Sequence, residues 1–416
     1  MARFLAYIEP VAGRLYPLIP TLQELARRGH HVTVRTGVIQ SQLLKSIDIE
    51  SDVLSPELAG FEPKDWQART RFGALIAALN QFGRRAQPQR IDLDDAINTH
   101  HPDVVILDET SWGAAAAAEA SGLPWAFSVP SPVPIPSADA PPFGLGLTPR
   151  HDAIGQLRDR LAAPLTLGTL GRVIAHHVNP VRADLHLPPL HTLEDFYLAA
   201  SLILAFTSEP FEYPRRDWPL KVSLVGPGFW EPTVESPPWL GDLHRPVVLV
   251  TCSTAFQNDV RLAEVACDAL ADQRFDVVLT TGDVKLSTAA VPSNIHVEPF
   301  VPHTAVLERA VCTVCHAGMG ITQKSLAHGV PVVAVPFGRD QPEVARRVEV
   351  SGAGVRLPAR KLTTARLRTA IEEALVLRAG AERIAAAFRN AGGAPAAADS
   401  LELLVRGPSG GQASLK

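Results

Sequence analysis

"CTVCHAGMGITQKSLAHGVPVVAVP", Cys312 to Pro336, admits two readings that lead to different proteins. Cys312, Cys315 and His316 spell C-x-x-C-H, the pattern that attaches a c-type haem. The surrounding residues argue against it. "AVCTVC" has strand character, and a strand's alternation sends Cys312 and Cys315 to opposite faces, where two thiols do not easily hold one cofactor. Free cysteine is among the most buried residue types, so both are expected as core or strand residues. The second reading is a strand that ends at His316, a turn in which Gly318 and Gly320 permit close backbone approach, and a helix starting near Ile321. "PVVAVP" then supplies the next strand. A helix N-terminus aims unpaired N–H groups and a partial positive charge at an anion, and His316 adds a side-chain donor. On this reading the segment is one unit of a parallel α/β fold with an anion site.

The same rhythm extends in both directions. "RFLAYI" (Arg3 to Ile8) is a strand-length apolar run. Pro17 and Pro20 suit a helix's first turn, Leu18, Leu22 and Leu25 recur at helical spacing, and Gly29 stops the helix. "HVTVRTG" (His31 to Gly37) alternates like a second strand. Val104 to Leu107 reads as a buried strand and the alanine-rich stretch after it as a closely packed helix. From Pro124 to Pro149 eight prolines predict a long surface loop, the kind of segment that carries binding residues beside strand ends. "VGPGFWEPTVESPPWLGDLHRP" (Val225 to Pro246) breaks the pattern and reads as a linker. Beyond it the alternation restarts through "PVVLVTCS", "FDVVLTTG" and "IHVEPF", and Thr363 or Thr364 caps a late helix carrying Leu367, Ile371 and Leu375. The expected organisation is an α/β domain over 1–224, a linker over 225–246, a second α/β domain over 247–400 and a disordered tail over 401–416. Two such domains face each other across a cleft, a favoured ligand site.

Composition narrows the function. The 416 residues are 46% hydrophobic and 20% charged, as in an ordinary globular protein. A net charge of −4 with scattered basic residues gives no footprint for nucleic acid or an anionic membrane, and Arg215 and Arg216 read as a solvated pair. No stretch approaches the roughly 18 apolar residues that span a bilayer, so no membrane insertion is expected. "MARFLAYIEP" turns into Glu-Pro before a signal-peptide pattern develops, so the cytoplasm is the expected compartment and the four cysteines are expected reduced. The paired histidines 30–31, 100–101 and 176–177 point apart on any regular element, and no structural metal is expected.

"HAGMGITQKSLAHGVPVVAVPFGRDQPEVARRVEVSGAGV" (His316 to Val355) resembles the donor-binding signature of the GT-B nucleotide-sugar glycosyltransferases, nearest the actinobacterial branch that decorates natural products. "GRLYPLIPTLQELARRGHHVTV" (Gly13 to Val34) is similar to that family's opening, and the resemblance spans nearly the whole chain. It implies two Rossmann-like domains, the first for the acceptor and the second for the donor. His316 would contact the donor's diphosphate, and the backbone from Gly318 through Gly320 to Thr322 would cradle it, with the Thr322 hydroxyl as a further donor. Asp340 and Gln341 would bind the sugar hydroxyls. Phe300 stands where the family often stacks a Trp on the nucleobase, with Val301 facing the base through its backbone. Ser253 or Thr254 would lie near the phosphates. Lys324 departs from the frequent ribose-binding Glu and reads as a solvated lysine, while Ile321 replaces a frequent Ser or Thr. The implied partners are a UDP- or dTDP-sugar and a small, largely apolar acceptor lined by Trp112 and Phe143, with no cofactor or metal required, in a monomer or homodimer.

The family's inverting mechanism uses a His general base in a G-H-x-x-P motif, oriented by an Asp further along the domain. Here the motif reads Gly13-Arg14-Leu15-Tyr16-Pro17. A guanidinium cannot accept a proton at neutral pH, and Asp108, which matches the orienting Asp, would pair with a cation and become a poorer base. Three explanations stand. The acceptor is an acidic phenol or enol whose anion Arg14 stabilises. Another carboxylate (Glu9, Glu109 or Asp108 itself) serves as base. Or the protein binds a nucleotide sugar without catalysis. A GT-B sugar-nucleotide epimerase is a further alternative, disfavoured by the Asp340-Gln341 ending of the signature.

Overall fold

The computed structural model describes residues 1–59, 71–253, 259–282 and 291–406. Among these, two parallel sheets stand in sequence. The first joins β1 (Arg3–Tyr7), β2 (His31–Thr36), β3 (Glu50–Val53), β4 (Val104–Asp108), β5 (Trp125–Val129), β6 (Leu202–Ala205) and β7 (Val222–Leu224) in the order β3-β2-β1-β4-β5-β6-β7. The second joins β8 (Val247–Thr251), β9 (Asp276–Thr280), β10 (Ile295–Glu298), β11 (Ala310–Cys315), β12 (Val332–Ala334) and β13 (Gly354–Arg356) in the order β10-β9-β8-β11-β12-β13. The inner strands β4, β5, β6, β8 and β12 are short apolar runs buried on both faces, as a sheet covered by helices on each side demands, while the edge strands β3, β7, β10 and β13 are only partly buried. In each sheet the order reverses once, between β1 and β4 and between β8 and β11. Ligands of such folds bind beyond the carboxyl ends of the strands flanking that reversal. Both candidate sites lie there.

β11 confirms the alternation argument. Cys312 packs with Val248 and Val314 on one side of the sheet, and Cys315 packs with Phe211 and Leu326 on the other. All four cysteines are unpaired and buried. The turn after β11 is made by Ala317, whose φ of +65° costs a residue with a Cβ about 1–2 kcal/mol. At the late helix Thr364–Leu375, Thr363 is the cap, accepting from the Arg366 N–H at 3.3 Å.

Several expectations need correction. The chain does not end as a tail from residue 401: the helix Gly393–Arg406 returns to the first sheet and buries Ala397, Ala398 and Leu401 against Leu22 and Leu25. Its outer face is pinned by Asp399 to Arg28 at 2.6 Å and by Glu402 to His30 at 3.0 Å. A helical period of apolar residues is present in that stretch, but its partner is nearly the whole chain away. Residues 407–416 lie outside the described residues. Leu401→Ala is expected to lower urea-unfolding stability by about 2–5 kcal/mol, because it leaves a cavity in the first domain's core. A loss below about 1 kcal/mol would show that this helix is not part of that core.

The segment 225–246 is also less of a free linker than expected. Val225 is buried in the first domain's core, and Glu231 accepts from the His303 and Thr304 N–H groups at 2.9 and 3.2 Å. The proline-rich stretch contains β5, and its continuation is partly inside, with Val133 and Ile135 buried. Arg216 is exposed as expected, but Arg215 is buried and paired with Glu212 at 3.1 Å. No helix of the described residues is long and apolar enough to cross a membrane.

Candidate active site

A cavity of about 210 Å³ lies between the two halves of the chain. Its walls are mostly apolar and come from the first domain: Leu79, Phe82, Trp112, Phe143, Leu170 and Ile174. Trp112 and Phe143, assigned to the acceptor by resemblance, both line it. Its polar end gathers Arg14, Glu109, Thr110 and Ser131 from the first domain with Arg339 and Asp340 from the second. The cavity is therefore closed by both halves.

The pairing at that end differs from the expectation. Arg14 is ion-paired with Glu109 rather than Asp108. Glu109 also accepts from the Ser131 hydroxyl at 2.6 Å and the Tyr197 hydroxyl at 3.0 Å. Asp108 is fully buried and accepts from the backbone N–H groups of Glu9 (2.6 Å) and Thr110 (2.8 Å), from the Ser111 hydroxyl (3.0 Å) and from the Thr110 hydroxyl. Its oxygens are spent on shaping the loop after β4, and it does not line the cavity. The reason is the strand's alternation: neighbouring residues at a strand end face opposite ways. Glu9 is likewise removed from the reaction, buried against Arg85 at 2.8 Å and Gln89 at 2.6 Å. Burial pushes its carboxyl up to about 7 despite Arg85.

Burial works against the charge on Arg14, but Glu109, Asp108 and Asp340 outweigh it and hold the guanidinium above its ordinary pKa. Arg14 is a permanent cation here. Asp340 is shifted upward by burial, with Arg14 opposing. The cavity's end is thus a guanidinium between two carboxylates, one from each half.

Across the cleft, the register that sets Thr251 opposite Cys315 brings the ends of β8 and β11 together. His316 follows β11 directly, and Ser253 stands two residues beyond β8. The Ser253 N–H donates to Asp259 at 2.6 Å. His316 is buried, its Nδ1 has no hydrogen-bond partner among the described residues, and burial lowers its pKa while Asp259 opposes the shift. Gly318 matters for a reason the sequence did not show: a Cβ there would sit 2.3 Å from the His316 Nε2. Gly320 has open space where a side chain would be, and it is exposed.

The helix is Met319–Ala327, two residues earlier than expected. Thr322 N–H already donates to Gly318 O at 3.1 Å, so the N–H groups that precede the helical ladder are those of Met319, Gly320 and Ile321. Thr322 does not offer its hydroxyl: it is buried and lies 3.7 Å from the Cys315 sulfur. Gln341 is similarly engaged. Its Oε1 accepts from the Phe337 and Gly338 N–H groups at 2.7 and 3.0 Å, bracing the loop that presents Asp340. Lys324 is not solvated but buried and paired with Glu231 at 2.7 Å. Phe300 is 48% exposed just beyond β10, next to a fully buried Val301. An aromatic left uncovered there is available for stacking. Thr254 lies outside the described residues.

Sequence reasoning missed Phe82, Tyr197, Ser131 and Arg339. Phe82 and Leu79 share a helix face, a pattern that any core helix also has. No group of three or more His, Cys, Asp or Glu side chains among the described residues is placed to hold a metal ion.

Residues 264–398 match the family model described as "Erythromycin biosynthesis protein CIII-like, C-terminal domain". Over 387 residues the chain is 34% identical to 4'-demethylrebeccamycin synthase of Lentzea aerocolonigenes, covering 90% of this chain and 92% of that one. It is 26% identical to UDP-glycosyltransferase 2 of Phaeomoniella chlamydospora, covering 88% and 87%. In fold it is similar to the glycotransferase of kitacinnamycin (TM-score 0.77, 22% identity, 97% and 99% covered). It is also similar to the glycosyltransferase VinC, solved in complex with dTDP (TM-score 0.69, 22% identity, 97% and 99% covered).

Proposed function

The chain belongs to the GT-B glycosyltransferases of natural-product (antibiotic) glycosylation, and from that premise we propose that it moves a sugar from a UDP- or dTDP-sugar to a small aromatic acceptor with an acidic O–H or N–H, inverting the anomeric carbon. The observation that carries this reading is the polar end of the cavity, where Arg14 is held by Glu109 and faces Asp340 of the other half. The apolar walls would take a flat ring system, leaving its one acidic group at that end. Arg14 would stabilise the acceptor's developing anion electrostatically, which a neutral base does not do. Glu109, which lines the cavity beside Arg14, would take the acceptor's proton. Asp340 would hold the sugar hydroxyls, and His316 with the Met319, Gly320 and Ile321 N–H groups would take the leaving diphosphate.

The test is a mass-spectrometric transfer assay on the protein and on Arg14→His, with UDP- and dTDP-glucose and a panel of phenols, heteroaryl N–H compounds and aliphatic alcohols. The protein is expected to glycosylate only the acidic acceptors, and Arg14→His to gain aliphatic alcohols. Nucleotide binding without product from any acceptor would overturn the reading and leave a nucleotide-sugar binder.

A further inference from the structure

The loop over 130–152 lines the cavity through Ser131, Pro134 and Phe143, yet much of what holds it lies outside the first sheet. Its distal part is bound by the second domain. Glu343 accepts from the Gly144 and Gly146 N–H groups at 2.8 and 2.7 Å, and Gly146 O accepts from Arg346 Nε at 2.9 Å. The approach is close: a Cβ on Gly146 would lie 2.4 Å from the carbonyl oxygen of Pro342. From Glu343 a chain of buried charges runs back to the loop's proximal part. Glu343 pairs with Arg347 at 3.1 Å, and Arg347 pairs with Glu212 at 2.7 Å while lying 4.2 Å over the Tyr213 ring. Glu212 pairs with Arg215, which donates to Ile135 O at 2.9 Å and Val133 O at 3.2 Å.

The circuit therefore starts and ends on one loop, and it passes through the helix Gln341–Val350, which Asp340 immediately precedes. Two carboxylates and two guanidiniums balance, and all four side chains are almost fully buried. Such a chain is a poor source of stability, because desolvating four charges costs as much as their pairing returns, and apolar residues would fill the space as well. What it does provide is a fixed geometry. We propose that Glu343 is a positioning residue for the acceptor: it fastens the Phe143 loop to the helix that presents Asp340, so that the acceptor cavity is complete only while the two halves are docked. This rests on reading the cavity as the acceptor site. The distal part of the loop, around Gly144 and Gly146, then travels with the second domain, and opening the cleft opens the acceptor pocket in the same movement.

Two variants test it. Glu343→Gln keeps the shape and removes the charge. Gly146→Ala leaves every charge in place and lifts the loop off Pro342. Both are expected to raise the acceptor KM by about 10-fold, since an acceptor that must first order its own wall binds more weakly, with kcat at saturating acceptor and nucleotide affinity little changed. Hydrogen exchange of peptides covering 140–149 is expected to speed up in both. Unchanged exchange in both variants overturns the latch. So does faster exchange with an unchanged acceptor KM, and so does a KM increase matched by an equal loss of nucleotide affinity. If the unaltered protein glycosylates nothing, the functional reading fails by itself. Exchange over 140–149 then still decides whether Glu343 holds the loop.

Discussion

Replacing Glu109 by Gln is expected to lower kcat by about 10²-fold, the lower end of a general base's usual worth because Arg14 and two hydroxyls already engage its oxygens, while changing the acceptor KM far less. Ser131 and Tyr197 donate to different oxygens of Glu109; glutamine keeps one of these acceptors, and its amide N–H can donate to the other hydroxyl, so the shape of the cavity wall is retained. It removes the carboxylate that the acceptor's own domain brings to this end; the other one there, Asp340, comes from the second domain and is assigned to the sugar. Arg14 is permanently protonated, Asp108 has its oxygens occupied by four donors, and Glu9 is out of reach behind Arg85 and Gln89. The size of the effect should depend on the acceptor. A group that ionises readily needs little help, and a weakly acidic one needs most. Steady-state rates across a series of substituted phenols should therefore show a steeper dependence on acceptor acidity in Glu109→Gln than in the unaltered protein. A loss smaller than about tenfold with a parallel dependence would remove Glu109 from the proton transfer and leave Arg14's electrostatic role as the whole of the activation.

His316→Ala is expected to cost about 10²–10³ in kcat, the range seen when one preorganised donor to a developing anion is removed. The imidazole is buried and packed against Gly318, and among the described residues its Nδ1 has no hydrogen-bond partner, which is an expensive arrangement unless a hydrogen-bonding group arrives to meet it. Burial holds its pKa below the ordinary histidine value, so it is neutral at pH 7 before nucleotide binds. A diphosphate brought alongside favours the imidazolium and raises that pKa, so binding should take up protons near and below neutral pH. Calorimetric titration with dTDP or UDP in buffers of different ionisation enthalpy reads this uptake directly. It should vanish in His316→Ala together with much of the rate. Equal proton uptake in the variant would place the titrating group elsewhere and reduce His316 to a packing residue.

Much of the fold was legible because its signals are local. Strand-length apolar runs, helical spacing at Leu18, Leu22 and Leu25, the cap at Thr363 and the opposite facing of Cys312 and Cys315 each depend on a few neighbouring residues. The anion turn was legible for the same reason, since strand, glycines and helix stand within ten residues.

What the sequence could not determine was the choice of partner across long separations. Arg14 and Glu109 are 95 positions apart, Glu212 and Arg347 are 135, and Glu343 reaches Gly146 over 197. For Arg14 the chain suggested a mate, Asp108, and the fold chose its neighbour; nothing along the chain singled out Glu212, Arg347 or Glu343. Asp108 and Glu109 differ by one step along a strand end, which turns one carboxylate inward to backbone N–H groups and the other into the cavity. Thr322 and Gly320 stand two residues apart in the same helical turn, yet Thr322 is buried and Gly320 is exposed, so the helix's rotation decides which group meets the core and which the cleft. Alternation and helical period are set by covalent geometry and can be read along the chain. Which face meets which, and which charges are buried together, is set by how two sheets and their helices pack, and that exists only in three dimensions.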